Sequence, residues 1–409
     1  MEMFNSKRWP NEMSFMARGG LGSTEGISLF TTDEIARRQD LVVNALAASD
    51  LDALIVQAHF PPSIMGCHPK LTWITGSNGY RGAATAILTR DGRFTVVPGR
   101  KPSSNPAWQS PYLQEDDIAC YLQGARRVGY SETAYLTVQF KDYLAQRIPG
   151  LQIVDFTNQL EHMMAVKGAE ELSAVEDACA IQNRCWQAAS TILRPGRLLT
   201  EIRNEFHYMM LNLGMDPTVM PKILLFVGKN ASQAGSAGAG FKPRDYTLDR
   251  SDYIVVAFET PGSGGYYAER CRHFFFQSPH SDLVSTWDEL MALHQFQLEL
   301  YRPGVSMQAL RSEINRFKIE HGYDREPDIG PYSVQNDMTP ELRGLGISTV
   351  DRPQIQLDWE DLTLAPGMAF TSMPTIRRGR WSAKFYEMVF VTDDGYRIPQ
   401  PYPTELFLL

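Results

Sequence analysis

The stretch Tyr253-Ile-Val-Val-Ala-Phe-Glu259-Thr-Pro-Gly262-Ser-Gly-Gly265-Tyr-Tyr-Ala-Glu269-Arg-Cys-Arg272-His-Phe274 decides how the chain is read. It reads as a hairpin carrying Glu259 on one strand and Glu269 on the other. Side chains on a strand alternate between two faces, so if Glu269 faces a cleft, Cys271 and His273 face it too, while Arg270 and Arg272 point away. A carboxylate, a thiol and an imidazole in a row, with Glu259 as a second carboxylate, suit general acid-base work: a histidine titrates near neutrality, and burial or a second carboxylate raises a carboxyl group towards it. The same residues also have a plainer reading. In it Glu269 forms a buried ion pair with Arg343 or Arg352, His273 is a satisfied core histidine, and Cys271 is a small inert thiol. A nucleophilic Cys271 would need a neighbouring cation, such as His273, to lower its pKa.

Further along, Arg194-Pro-Gly196 and the helix running to Gly214-Met-Asp216 recur 108 residues later as Arg302-Pro-Gly304 and a helix to Gly322-Tyr-Asp324. Arg203 and Glu205 are matched by Arg311 and Glu313 at the same offset, which marks an internal repeat of helix, Pro-Gly turn, helix and strands. Ahead of it, Ala174, Ala178, Ile181, Cys185, Ala188 and Ile192 fall at spacings of three and four and predict the core face of a long helix. Nearer the start, Thr32 to Ala48 predicts an amphipathic helix and Leu51 to Val56 a short strand. A loop then runs through Pro61-Pro62 to a turn at Trp73-Ile-Thr-Gly76. Ala84–Leu88 and Phe94–Val97 predict a hairpin around Arg90-Asp-Gly92, and Leu151–Asp155 another strand. The pattern is α/β.

Composition is that of an ordinary folded protein, 43% hydrophobic and 21% charged with a net charge of -8. A nucleic-acid footprint would need a basic patch, which this acidic balance argues against. No apolar run approaches the roughly 20 residues of a membrane helix, and Met1 to Gly22 lacks a signal-peptide core. The expectation is a cytoplasmic protein with a small-molecule partner. Cys67, Cys120, Cys179, Cys185 and Cys271 are odd in number and scattered, without metal-site spacing or a disulfide pattern.

The hairpin resembles that of the creatinase / aminopeptidase P / methionine aminopeptidase group, peptidase family M24. Pro366-Gly-Met-Ala-Phe-Thr-Ser-Met373-Pro374 is similar to its Pro-Gly-Met-x-Phe-Thr-x-Glu-Pro stretch, Arg343 to Pro353 to its glycine-rich His loop, and Tyr386 to Gly395 to its last strand. The resemblance implies an α/β (α+β) chain: a creatinase-like N-terminal domain over 1–164, a junction at Ala165-Val-Lys167-Gly168, and a pita-bread catalytic domain over 165–409 built from two pseudo-twofold repeats. It also implies a homodimer.

The family's two-metal site uses two Asp, one His and two Glu. Here the second Asp position is Glu269 and the first falls on Phe258, or on Glu259 if the turn differs by one residue. The His position is Arg343, one Glu position is Met373, and the other is Tyr386, or Glu387 if the alignment slips by one. An Arg, a Met and a Tyr cannot rebuild a carboxylate-rich oxygen site for hard divalent ions, so no metal and no cofactor are expected. Creatinase, the metal-free relative, uses a His from the loop before the hairpin and a Glu at the position of Cys271. The loop here, Val227 to Gly240, contains no His, and offers instead Lys229, Asn230, Ser232 and Ser236 among glycines as a cradle for an anionic group.

The resulting expectation is a metal-independent, creatinase-like hydrolase or lyase acting on a small, carboxylate-bearing, non-peptide metabolite. Glu269, Glu259, His273 and Tyr386 would be catalytic. Arg343, whose guanidinium forms a planar fork for carboxylate, would bind substrate together with Lys229, Cys271, Arg352, Met373, Glu387 and Lys384, and with Trp73 and Arg81, and with them His68, from the N-terminal domain. Three alternatives stand beside it: a carbon-carbon or carbon-heteroatom lyase working by retro-aldol reaction or β-elimination, an Xaa-Pro aminopeptidase or prolidase with unusual ligands, and an inactive binding protein.

Overall fold

Thr31 opens the first helix, α1 (Thr32–Ala48): its hydroxyl accepts the Glu34 N–H at 3.3 Å, and Asp33 and Glu34 place negative charge at the positive helix end. The computed structural model describes residues 30–58, 68–76, 84–98, 115–217, 219–230, 239–262, 265–323, 342–345, 362–378 and 381–409. The chain divides into two compact units between Met163 and Met164.

The first unit is a five-stranded sheet in the order β3-β2-β1-β4-β5. Its strands are β1 (Ala53–Gln57), β2 (Ala84–Thr89), β3 (Phe94–Pro98), β4 (Arg127–Tyr130) and β5 (Gln152–Asp155). β1 pairs antiparallel with β2 and parallel with β4. The hairpin turn at Arg90 to Gly92 forms as expected, with Gly92 at φ 84. The turn expected at Trp73 to Gly76 is instead a helix, α2 (Pro69–Thr75), which starts with Pro in its first turn and stops at Gly76 with φ 68. Proline at the first helical position and glycine just past the last are helix punctuation. α3 (Glu115–Tyr121), α4 (Val138–Arg147) and α5 (Thr157–Ala165) complete this part of the chain.

In the second unit, α6 (Ala169–Gln187) begins at Gly168, whose N–H is capped by Glu171 at 2.8 Å. A short turn, α7 (Ala189–Ile192), follows it. α8 (Leu199–Asn212) and, after α9 (Ser281–Leu300), α10 (Met307–Glu320) lie 108 residues apart at both ends, the offset of the sequence repeat. The wiring around them repeats too. Gly196 N–H donates to Leu248 O at 2.7 Å and Gly304 N–H to Leu364 O at 2.8 Å, and Leu199 and Met307 donate to Tyr246 O and Leu362 O. Both Pro-Gly glycines are left-handed, at φ 90 and 85, a conformation that favours glycine.

The first repeat carries a five-stranded sheet in the order β16-β9-β8-β6-β7, formed by β6 (Lys222–Lys229), β7 (Gly240–Phe241), β8 (Asp252–Pro261), β9 (Tyr267–Phe275) and, from the C-terminus, β16 (Phe407–Leu408). The second carries a sheet in the order β10-β11-β14-β15, from β10 (Leu342–Gly344), β11 (Ala369–Ser372), β14 (Glu387–Val391) and β15 (Tyr396–Arg397), and a ribbon of β12 (Thr375–Arg378) with β13 (Trp381–Lys384). One face of β8 packs on the helices: Phe258 stacks on Trp186 with centroids 5.5 Å apart and meets Phe206 edge-on. Burying a side chain of that size contributes about 1.5–3 kcal/mol. Gly262 lets the hairpin approach α6, since a Cβ there would lie 2.6 Å from Ala178 N. No helix among the described residues is long and apolar enough to cross a membrane.

Candidate active site

The hairpin register places Glu259 directly opposite Glu269, and Lys222 of β6 opposite Glu259. Three cross-strand neighbours therefore form one row on the face turned away from α6. Glu259 is 2% exposed and Glu269 3%, and Lys222 Nζ lies 3.1 Å from Glu259 Oε1. Phe258 sits on the opposite face in the apolar core, so of the two positions left open for the first Asp, Glu259 is the one that faces Glu269.

The second repeat reaches this row through its main chain and through short side chains. Thr371 Oγ1 of β11 donates to Glu269 O at 2.9 Å, and the Glu269 N–H lies 3.5 Å from Met388 Sδ. Cys271 N–H donates to Tyr386 O at 3.1 Å, and the Tyr386 N–H returns to Cys271 Sγ at 3.2 Å. From α6, Gln182 Nε2 donates to Phe258 O, Thr260 Oγ1 and Ala268 O at 2.8 to 3.1 Å, pinning both hairpin strands. Half-buried Met373 follows β11. Half-buried Lys384 holds its ammonium 3.9 Å from the Phe226 ring centre, and Tyr386 packs half-buried beside Cys271. Arg343 is paired with Thr371 in the ladder, two strands from Glu269.

The other candidates lie in different surroundings. Burial pushes the His273 pKa down to about 3, which disfavours its charged form; its Nε2 meets Lys384 O at 2.8 Å, and its ring lies against Trp287. Nε2 must carry the proton to donate to a carbonyl, and Nδ1 is buried with no hydrogen-bond partner. Burial pushes the Cys271 thiol up to about 12 inside an apolar cluster, which disfavours the thiolate a nucleophile needs. Lys229 is engaged with buried Asp252 at 2.6 Å, and Asn230 bridges Ser278 O and the His280 N–H. Glu387 has both oxygens taken, by Arg270 Nε and Arg272 Nη2 at 2.5 Å each, on the side away from Glu269. Trp73 is a core residue of the first unit at 1% exposure, and His68, 9% exposed, stands at the N-cap position of α2 without a side-chain capping bond. Arg81, Arg352, Ser232 and Ser236 lie outside the described residues.

Lys222 was not singled out from the sequence. Alternation along β6 puts Lys222, Leu224 and Phe226 on one face, but its pairing with a residue 37 positions away is set by sheet register.

The neutral histidines give a pH test. His294 is likewise lowered by burial, to about 4. Between these values and the ordinary 6.5 the unfolded chain binds protons that the folded chain refuses, so stability falls as pH drops through that window. Moving from pH 7 to pH 5 should cost about 2 kcal/mol per histidine. Thermal melts of the wild type and His273→Phe should show the acid loss, roughly halved in the variant; equal melting temperatures at the two pH values would contradict it.

The fold of the second unit, two αβ repeats with a row of charges on the hairpin face turned away from α6, defines a pita-bread protein. Residues 173–393 match the family model for metallopeptidase family M24, and residues 38–166 that for the creatinase/prolidase N-terminal domain; the chain belongs to family M24. It is 24% identical over 254 residues to a probable dipeptidase PepE of Mycobacterium bovis, a match covering 62% of this chain and 63% of that protein's length. It is 25% identical to an uncharacterized hydrolase/peptidase, y4tL, of Sinorhizobium fredii, over 94% of this chain and 99% of that one. Dipeptidase PepE of Mycobacterium ulcerans has the same fold, with a TM-score of 0.70, 21% identity, and coverage of 93% of this chain and 99% of that chain.

The family's description implies metal, and the donor set can be tested against it. Hard divalent ions require several oxygen ligands. Among the described residues the row offers two carboxylates, one already bound to an ammonium, and no group of three or more His, Cys, Asp or Glu could hold an ion. The described residues do not fit a two-metal centre.

Proposed function

We propose that this protein is a hydrolase that cleaves a C–N bond in a small substrate of dipeptide size. The observation that carries the proposal is the facing pair Glu259 and Glu269, nearly buried on the inward face of a family M24 hairpin. Water attacks the carbonyl carbon, the carboxylate pair takes its proton, the C–N bond breaks, and the pair returns a proton to the leaving nitrogen. The balance is one water consumed and no net proton. General acid-base work of this kind contributes roughly 10²–10⁴ in rate. Tyr386 donates a hydrogen bond to the substrate, while Arg343 and Lys384 hold its anionic group. The dipeptidase name of the mycobacterial relative supports the size and bond type.

A second reading, a metallodipeptidase with a divergent ligand set, draws support from the family model's description. One assay separates the two. Purified protein is incubated with dipeptides, including Xaa-Pro pairs, and with small N-acyl and amidino acids, each with chelator or with added manganese, and products are identified by mass spectrometry. Amine release that survives chelator is the expected outcome, and release only with manganese would favour the second reading. An unsaturated product without water uptake would indicate a lyase, and no turnover across the panel would overturn the proposal.

A further inference from the structure

We infer that the ammonium of Lys222 is a built-in counter-cation for Glu259 of the carboxylate pair, and that it opposes a divalent ion at this row. The inference deepens the hydrolase reading and rests on it for the role of the pair. Lys222, Glu259 and Glu269 are consecutive cross-strand neighbours on β6, β8 and β9, so they present one cation and two anions in a line. Directly opposed like charges destabilise a sheet, and opposite ones stabilise it. Burial sharpens this, because a buried anion must be compensated. Glu259 is 2% exposed and Glu269 3%, whereas the Lys222 side chain, 37% exposed, reaches in from the rim of the row to 3.1 Å from Glu259 Oε1. That contact removes a ligand lone pair and sets a positive charge beside Glu259, and both effects oppose a divalent ion. The remaining positions on the second repeat, Met373 and Tyr386, supply no carboxylate.

The test uses the full-length protein and manganese ion alone as probe. Wild type purified without a histidine tag is expected to hold substoichiometric metal by plasma mass spectrometry, to show no saturable heat on titration with manganese chloride, and to melt at the same temperature with or without chelator. Lys222→Met should melt roughly 2–4 °C lower and regain that loss when manganese is added, since an ion that binds only the folded state stabilises it by mass action. Lys222→Met/Glu259→Gln should melt above Lys222→Met and ignore manganese. Stoichiometric metal in the wild type, or a Lys222→Met protein that neither loses stability nor responds to manganese, overturns the inference. Should Lys222→Met fail to fold, the wild-type metal content decides, and Glu259→Gln, which breaks the same pair, should show the same fall in melting temperature. None of these readouts uses turnover. A failed activity screen leaves them intact, and metal uptake would overturn this inference while leaving a hydrolase reading standing.

Discussion

Glu269→Gln is expected to lower turnover by roughly 10²–10⁴-fold, about 3–5 kcal/mol in the transition state, without loss of folded protein. The exchange keeps the volume and the main-chain bonds that fix the strand, Thr371 Oγ1 to Glu269 O and Cys271 N–H to Tyr386 O. It removes one of two carboxylates that face each other across the hairpin and so relieves their mutual repulsion. A structural role for Glu269 would give the reverse result, lower stability with residual activity in proportion to folded protein. The decisive measurement is kcat alongside the melting temperature for wild type, Glu269→Gln and Glu259→Gln. Glu259→Gln should lose activity too, but it should also melt lower because it releases Lys222. Full activity in Glu269→Gln would remove Glu269 from the mechanism.

Glu387→Gln is expected to be the most destabilising conservative change in the second unit, at about 3–5 kcal/mol, the usual cost of removing one partner from a buried ion pair. Burial alone would raise the Glu387 carboxyl pKa, but the guanidiniums of Arg270 and Arg272 outweigh it and hold it below the usual carboxylate range. Each arginine has further partners. Arg270 donates to Cys179 O, Asn183 Oδ1 and Gln400 O, and Arg272 to Cys271 O, Tyr402 O and Pro403 O. Both guanidiniums lie over Trp186, at 4.9 and 4.7 Å from the ring. Loss of the carboxylate leaves two fully buried cations to be balanced by carbonyl dipoles alone. The melting temperature should fall by roughly ten degrees. A shift within a degree or two of wild type would show that the carbonyls and the indole suffice.

These arginines also show what the sequence could and could not convey. Alternation along the strand was enough to send Arg270 and Arg272 to one face and Glu269 to the other, because that depends only on the period of a strand. The offset between the two Arg-Pro-Gly segments was equally local, and the helices and their turn bonds keep it at both ends. Partners across strands were out of reach. Lys222 meets Glu259, Lys229 meets Asp252, and Glu387 meets two arginines more than 100 positions away, all set by register and by how the two sheets are joined. His273 and Cys271 were placed on the correct face, but what surrounds them was not legible. Their stretch of the strand is lined by Trp287, Phe275 and Trp381, and burial among apolar rings disfavours the charged forms of both side chains. The helix at Trp73 was missed because its signals, Pro69 and Gly76, bracket only seven residues of apolar sequence.

The exact recurrence of α8 in α10, with its turn glycines and ladder bonds, gives the two repeats one blueprint but unequal duties. Glu259, Glu269 and Lys222 belong to the first copy, while the second meets that row through Thr371, Tyr386 and Met388, by a hydroxyl, main-chain groups and a thioether. Duplication thus supplied a workbench and a brace from the same plan. On the proposed reading the brace, which contributes Lys384 and Tyr386, is the copy in which substrate preference can drift while the carboxylate row stays fixed.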